Sequence, residues 1–112
     1  MSHKEETAVQ NKIMVELSKM GCVVFRRNVG LFYTQDGRMI TIGQKGEADL
    51  QGHTSTGKCF YLETKTLTGA KRKEQETFVK AMRASGAIAD FVRSPEQALD
   101  VLFKGARFYK GD

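Results

Sequence analysis

Apolar side chains recur along this chain with two periods, and the changes between them mark out the elements. Over residues 5–20, Glu6, Gln10, Ile13 and Leu17 fall on one narrow stripe at 100° per residue, with Val9 and Met20 beside it. That spacing predicts an amphipathic helix, and Gly21 supplies its stop. The run Cys22–Val29 is β-rich and ends at Gly30. Leu31–Thr34 and Met39–Ile42 flank Asp36-Gly37, the pattern of a hairpin around a favoured turn. A flexible loop, Gly43–Gly46, leads into a strand over Ala48–Gln51, and a turn at Thr54–Gly57 precedes a longer strand over Lys58–Thr66. A second helix is predicted over 71–85, with Gln75, Phe78, Val79 and Met82 inward and Gly86 as its end. Ile88–Val92 reads as a further strand. Ser94-Pro95-Glu96-Gln97 then combines an N-cap, a proline at the first helical position and a capping-box glutamine, opening a third helix through Leu99, Val101, Leu102 and Phe103. Lys104–Asp112 is expected to add a short edge strand or to stay mobile.

Helices alternating with strands imply an α/β chain with a mixed sheet flanked by helices. A length of 112 residues suits one domain with a single core, spanning 1–112 with its centre over about 5–103. Apolar residues make up 40% and charged residues 28%, the profile of a folded soluble chain rather than a disordered one. The net charge of +5 and the pI of 9.4 favour a polyanionic partner. Nucleic acid fits better than membrane, because no basic amphipathic helix or long apolar run is visible. The N-terminus Met1-Ser2-His3-Lys4-Glu5-Glu6 has no apolar core of a signal peptide, so the expected location is cytoplasmic, not secreted. Cys22 and Cys59 both sit in strand-like apolar runs and are expected to be buried free thiols.

The candidate chemistry lies in Tyr61-Leu62-Glu63-Thr64-Lys65, preceded by Gly46-Glu47-Ala48-Asp49. A strand puts residues two apart on one face, so Glu63 and Lys65 point the same way. An ionisable pair at the end of the apolar run Cys59–Leu62 is costly to bury unless it is partnered. With Asp49 on an earlier strand, the three supply two acid ligands and a lysine around one hard cation. Glu6 and Gln75 add polar groups to the inward stripes of the first and second helices. Each also has a plainer reading. A carboxylate near a helix start favours the helix dipole, and a glutamine there can satisfy a loop carbonyl.

Glu6-x-x-x-Gln10, Gly46-x-x-Asp49, Glu63-x-Lys65 and Gln75, taken in order, resemble the PD-(D/E)XK nuclease superfamily. More narrowly they resemble its VRR-NUC group, with stand-alone phage and bacterial proteins that are similar to Holliday junction resolvases. The match runs from about Glu6 to Val92, and Phe25-Arg26-Arg27-Asn28 shares it; Ala48 stands where the superfamily name has proline. The resemblance implies a restriction-endonuclease-like α-β-β-β-α-β core and a DNA endonuclease using Mg²⁺ or Mn²⁺, with no organic cofactor. Asp49 and Glu63 would hold the metal with the main-chain carbonyl of Thr64, and Glu6 would bind a metal-associated water or a second ion. Lys65 would orient or deprotonate the attacking water, and Gln75 would fix Lys65 or that water. Kinship to the junction resolvases further implies a homodimer acting on branched DNA in a bacterial or phage-infected cell.

Charge adds candidates for phosphate contact. Lys71-Arg72-Lys73 opens the second helix beside Gln75, and Arg26, Arg27 and Lys45 are further nucleic-acid-binding candidates. His3, His53, Cys22 and Cys59 lack the paired spacing of a structural zinc site. No phosphate-cradling glycine loop or nucleophile elbow is present. Two other readings stand beside the branch-selective nuclease. One is a nuclease without branch selectivity, and the other a basic nucleic-acid-binding module whose acids are structural remnants.

Overall fold

The predicted first helix is α1, His3–Lys19, and its end shows why Gly21 matters. The amide of Cys22 donates to the Leu17 carbonyl and that of Gly21 to Ser18, at 3.1 Å each. This six-to-one and five-to-two pairing requires a left-handed residue between helix and strand, and Gly21 adopts φ 84°. The chain then forms β1 (Val23–Arg26), β2 (Gly30–Tyr33), β3 (Met39–Ile42), β4 (Leu50–His53) and β5 (Cys59–Thr64). It continues through α2 (Lys73–Ala84), β6 (Ile88–Val92) and α3 (Pro95–Phe103). The computed structural model describes residues 3–26, 30–33, 35–42, 49–65 and 73–111, with side chains for 7–26, 35–38, 49–65 and 73–111.

Strands β1, β4, β5 and β6 form one sheet in that order, while β2 and β3 pair separately as the hairpin predicted around Asp36-Gly37. In the main sheet β1–β4 and β4–β5 are antiparallel. The β5–β6 pair is parallel, joined through α2. With the hairpin set aside, the order is the expected α-β-β-β-α-β core followed by α3. The mixed sheet flanked by helices is therefore as the residue pattern implied.

Strand alternation divides the sheet into two faces. Leu50, Phe60, Leu62 and Val92 lie fully buried against Ile13 and Leu17 of α1 and against Ala98, Val101 and Leu102 of α3. Each such Leu or Phe contributes roughly 1.5–3 kcal/mol by leaving water. On the other face Ala89 and Phe91 pack with Val79 of α2 and with Tyr109, joined by Tyr61 and Met82 at the margin. Gly52 lets β1 approach β4 closely. A Cβ there would meet the Val23 carbonyl oxygen at 1.8 Å, which no side chain can survive without displacing the strand.

The structure corrects three local expectations. Cys22 is buried but Cys59 is exposed, both as free thiols. Cys59 opens β5 beside His53, on the sheet face whose α2 packing centres on β5 and β6 rather than β4. Gln97 does accept a backbone hydrogen bond, but from Arg93 at 2.8 Å and not from the N-cap Ser94, whose own oxygen accepts from the Gln97 amide. The segment after α3 is neither an edge strand nor loose. The amides of Phe108 and Tyr109 donate to the buried Asp90 carboxylate at 2.7 and 2.8 Å, and Tyr109 is buried against Phe91.

Candidate active site

The position of one turn brings the two acids together. The Thr54 amide donates to the Lys58 carbonyl, closing the β4–β5 hairpin. The pairing runs His53 with Cys59 through to Leu50 with Leu62. One further step along that register brings Asp49 to the end of β5 that carries Glu63 and Thr64. Since the turn over 54–57 is legible in the sequence, this juxtaposition is too.

Glu63 is wholly buried, beside Phe91 as its register neighbour on β6. Neither of its carboxylate oxygens makes a hydrogen bond of normal geometry with any described residue. Asp49, Lys65 and Gln75 are nonetheless near enough to act on it. Burial, then the charge of Asp49 and its hydrogen-bonding proximity, push the Glu63 carboxyl up to about 9, against the opposing pull of Lys65 and Gln75. Lys65 follows the end of β5, is itself 7% exposed, and ties its amide to the Val92 carbonyl at 2.9 Å. Gln75 reaches the site from the first turn of α2, which the edge-to-face packing of Tyr61 on Phe78, at 5.6 Å between centroids, holds against β5.

Asp49 is anchored differently. Its Oδ2 accepts from both the amide and the hydroxyl of Thr64, at 3.0 Å each. The Thr64 hydroxyl in turn accepts from Nε2 of Gln10 on α1 at 3.0 Å. Sequence reasoning assigned Thr64 only a main-chain role, and placed Gln10 on the first helix's stripe and in a motif without giving it a role. The signal for both was available: a glutamine on an apolar stripe and a threonine between two candidate functional residues.

The other expected residues divide as follows. Lys73 is exposed at the first position of α2, two residues before Gln75. Arg26 lies on the opposite face of the sheet from Glu63. It is paired in register with the core residue Leu50, and its guanidinium donates to Asn11 of α1. Glu6 belongs to α1, but its side chain lies outside the described residues, as do Arg27, Lys45, Lys71 and Arg72. Among the described residues no three His, Cys, Asp or Glu side chains gather as a metal site. The donor set there is the pair Asp49 and Glu63. One or two carboxylates, completed by water and substrate phosphate, is what Mg²⁺ ordinarily takes from a protein. Two buried oxygens without partners beside a second acid fit such a cation. Among the described residues no helix is long and apolar enough to cross a membrane.

No protein-family model and no curated protein sequence matches this chain. A solved structure described as a "VRR_NUC domain" does, with a TM-score of 0.65 at 20% identity, covering 88% of this chain and 97% of that one. Agreement over so much of both chains gives this chain the fold of a VRR_NUC domain, of the restriction-endonuclease-like type.

Proposed function

We propose that this chain is a VRR-NUC nuclease that hydrolyses phosphodiester bonds of DNA with Mg²⁺ or Mn²⁺ held by Asp49 and Glu63. The observation that carries the reading is Glu63: a fully buried carboxylate with no hydrogen bond of normal geometry to a described residue at either oxygen, set against a second acid. Such a group is costly as an anion unless a cation or a proton joins it. A scaffold with only structural needs would place an apolar residue or a bonded polar one there.

The chain's own residues divide the remaining work. Bound between the acids, the metal would supply Lewis-acid polarisation of the scissile phosphate and a lowered pKa for water. The main-chain carbonyl of Thr64 and the side chain of Glu6 are the further donors proposed for it. Lys65, nearly buried and close enough to act on Glu63, orients the attacking water and offsets charge on the phosphate. Gln75, close enough to act on Glu63, fixes Lys65 or the attacking water from the helix side. Lys73 faces solvent at the mouth of α2, where it meets the DNA backbone together with Lys71 and Arg72.

The finer reading is a homodimer cutting branched DNA, which rests on the likeness of the motifs to junction resolvases. It is tested with a labelled four-way junction and a matched linear duplex, each in Mg²⁺, Mn²⁺ or EDTA. Symmetric, metal-dependent cutting of the junction, lost in Glu63→Ala, is the expected result. Cutting that ignores branching removes the junction and keeps the nuclease. Salt-sensitive binding with no cleavage in either metal identifies a binding module instead.

A further inference from the structure

The buried polar chain Gln10–Thr64–Asp49 has a direction. A hydroxyl has one proton to give, and the Thr64 hydroxyl lies 3.0 Å from both Gln10 Nε2 and Asp49 Oδ2. The Gln10 amide nitrogen can only donate and the carboxylate oxygen can only accept. The threonine proton must therefore point at Asp49. The Thr64 amide donates to the same oxygen, also at 3.0 Å, so Oδ2 holds two donors from one residue. Two donors from one rigid strand residue fix both the rotation and the tilt of the carboxylate, and they commit Oδ2 to the fold, so that a cation would be taken by Oδ1. Thr64 is wholly buried and Gln10 is 8% exposed, so water does not substitute for either partner.

The geometry points to Gln10 and the Thr64 hydroxyl as positioning residues that set the Asp49 carboxylate for metal binding, an inference resting on the metal-dependent reading above. Neither touches substrate. Gln10 belongs to the same stripe of α1 as Ile13 and Leu17, which pack into the core. The packing of α1 on the sheet is thereby coupled to the orientation of a ligand at the start of the interior strand β4. What distinguishes this chain from a plain structural brace is that it ends on an acid lying within reach of Glu63, the second proposed ligand.

The test measures Mn²⁺ binding to the full chain by calorimetry, without DNA, for wild type, Thr64→Val, Thr64→Ser and Gln10→Met. Melting in EDTA is followed alongside. Thr64→Val keeps the shape and loses the hydroxyl, so Mn²⁺ affinity should fall roughly 10–100-fold, the range for outer-shell partners of metal ligands. Gln10→Met should weaken binding less, and Thr64→Ser should bind close to wild type. Cleavage at saturating Mn²⁺ should show the same ranking in kcat with KM for DNA unchanged. If Thr64→Val and Gln10→Met bind Mn²⁺ like wild type and differ only in melting temperature, the pair is a brace and the inference is overturned. Absence of Mn²⁺ binding by the wild type overturns the metal-dependent reading itself, and this inference with it. Should Thr64→Val fail to fold, the Gln10→Met and Thr64→Ser pair decides by the same affinities.

Discussion

Two acids on neighbouring strands, Asp90 and Glu63, are both wholly buried, yet they sit in opposite circumstances. Asp90 accepts from the amides of Phe91, Phe108 and Tyr109 at 2.7–2.8 Å, and its Oδ2 lies 3.3 Å from the Arg83 guanidinium. Arg83 is held in turn by the carbonyls of Ala89 and Tyr109 and stacks on the Tyr109 ring. Among the described residues Glu63 has no such shell, and the charged groups that act on it are another acid, Asp49, and Lys65. The first carboxylate uses up its bonding capacity inside the fold, binding the C-terminal segment to β6 and α2. The second keeps its capacity in reserve. Burial alone thus says little about a carboxylate's purpose; what matters is whether the fold itself satisfies it.

Substitutions at the two positions should fail in different ways. Asp90→Ala removes the acceptor of three amides and the counter-charge of a nearly buried guanidinium, so unfolding free energy should drop by about 3–5 kcal/mol in urea titrations. Protease should reach the segment after α3 first. A loss below about 1 kcal/mol, the scale of one ordinary hydrogen bond, would mean the segment is held by packing alone.

Glu63→Gln should do the reverse. Metal-supported cleavage should fall on the order of 10²–10³-fold, the usual scale for removing one preorganised electrostatic contact. The melting temperature in EDTA should hold or rise, because a costly buried acid has gone. Loss of stability together with retained cleavage would place Glu63 with Asp90 as a structural acid.

The smallest expected effect sharpens the contrast through pH. The folded Glu63 carboxyl is raised from an ordinary value near 4.5 to about 9, so between those values the folded chain binds more protons than the unfolded one. Its contribution to stability is full below pH 4.5 and lost as pH rises toward 9. Metal-free protein should therefore melt at progressively lower temperature from pH 6 to pH 9 when compared with Glu63→Gln. Added Mn²⁺ should narrow that gap by replacing the proton. Parallel curves for the two proteins would show that Glu63 is ionised throughout.

Much of this molecule is legible in local patterns because the forces concerned are local. Gly21 ends α1 since it alone reaches the left-handed region without strain, and Gly37 turns the β2–β3 hairpin at φ 85° for the same reason. Ser94 and Pro95 open α3 through one side-chain bond and one fixed φ. The pair Asp49 and Glu63 was legible through motif order, and its alignment follows from counting outward from the turn at 54–57. Lys65 and Gln75 follow from the same motifs, and both do lie against Glu63.

What the amino-acid order determined by itself, then, is the succession of elements, their caps and turns, and which polar residues fall on buried faces. Each depends on neighbours a few residues apart. The tertiary structure alone decided that Asp90 anchors residues 18 and 19 positions away, that Gln10 meets Thr64 across 54 residues, and that Arg26 turns away from Glu63 to bond Asn11. It also decided that Gly52 lies under β1 and that Cys59 stays exposed beside the part of the sheet that α2 packs against. These outcomes depend on strand pairing and on the way helices seat across a sheet, where hydrogen-bonding capacity and packing volume are balanced over the whole chain. No local window contains that balance, and the difference between a satisfied buried acid and an unsatisfied one arises there.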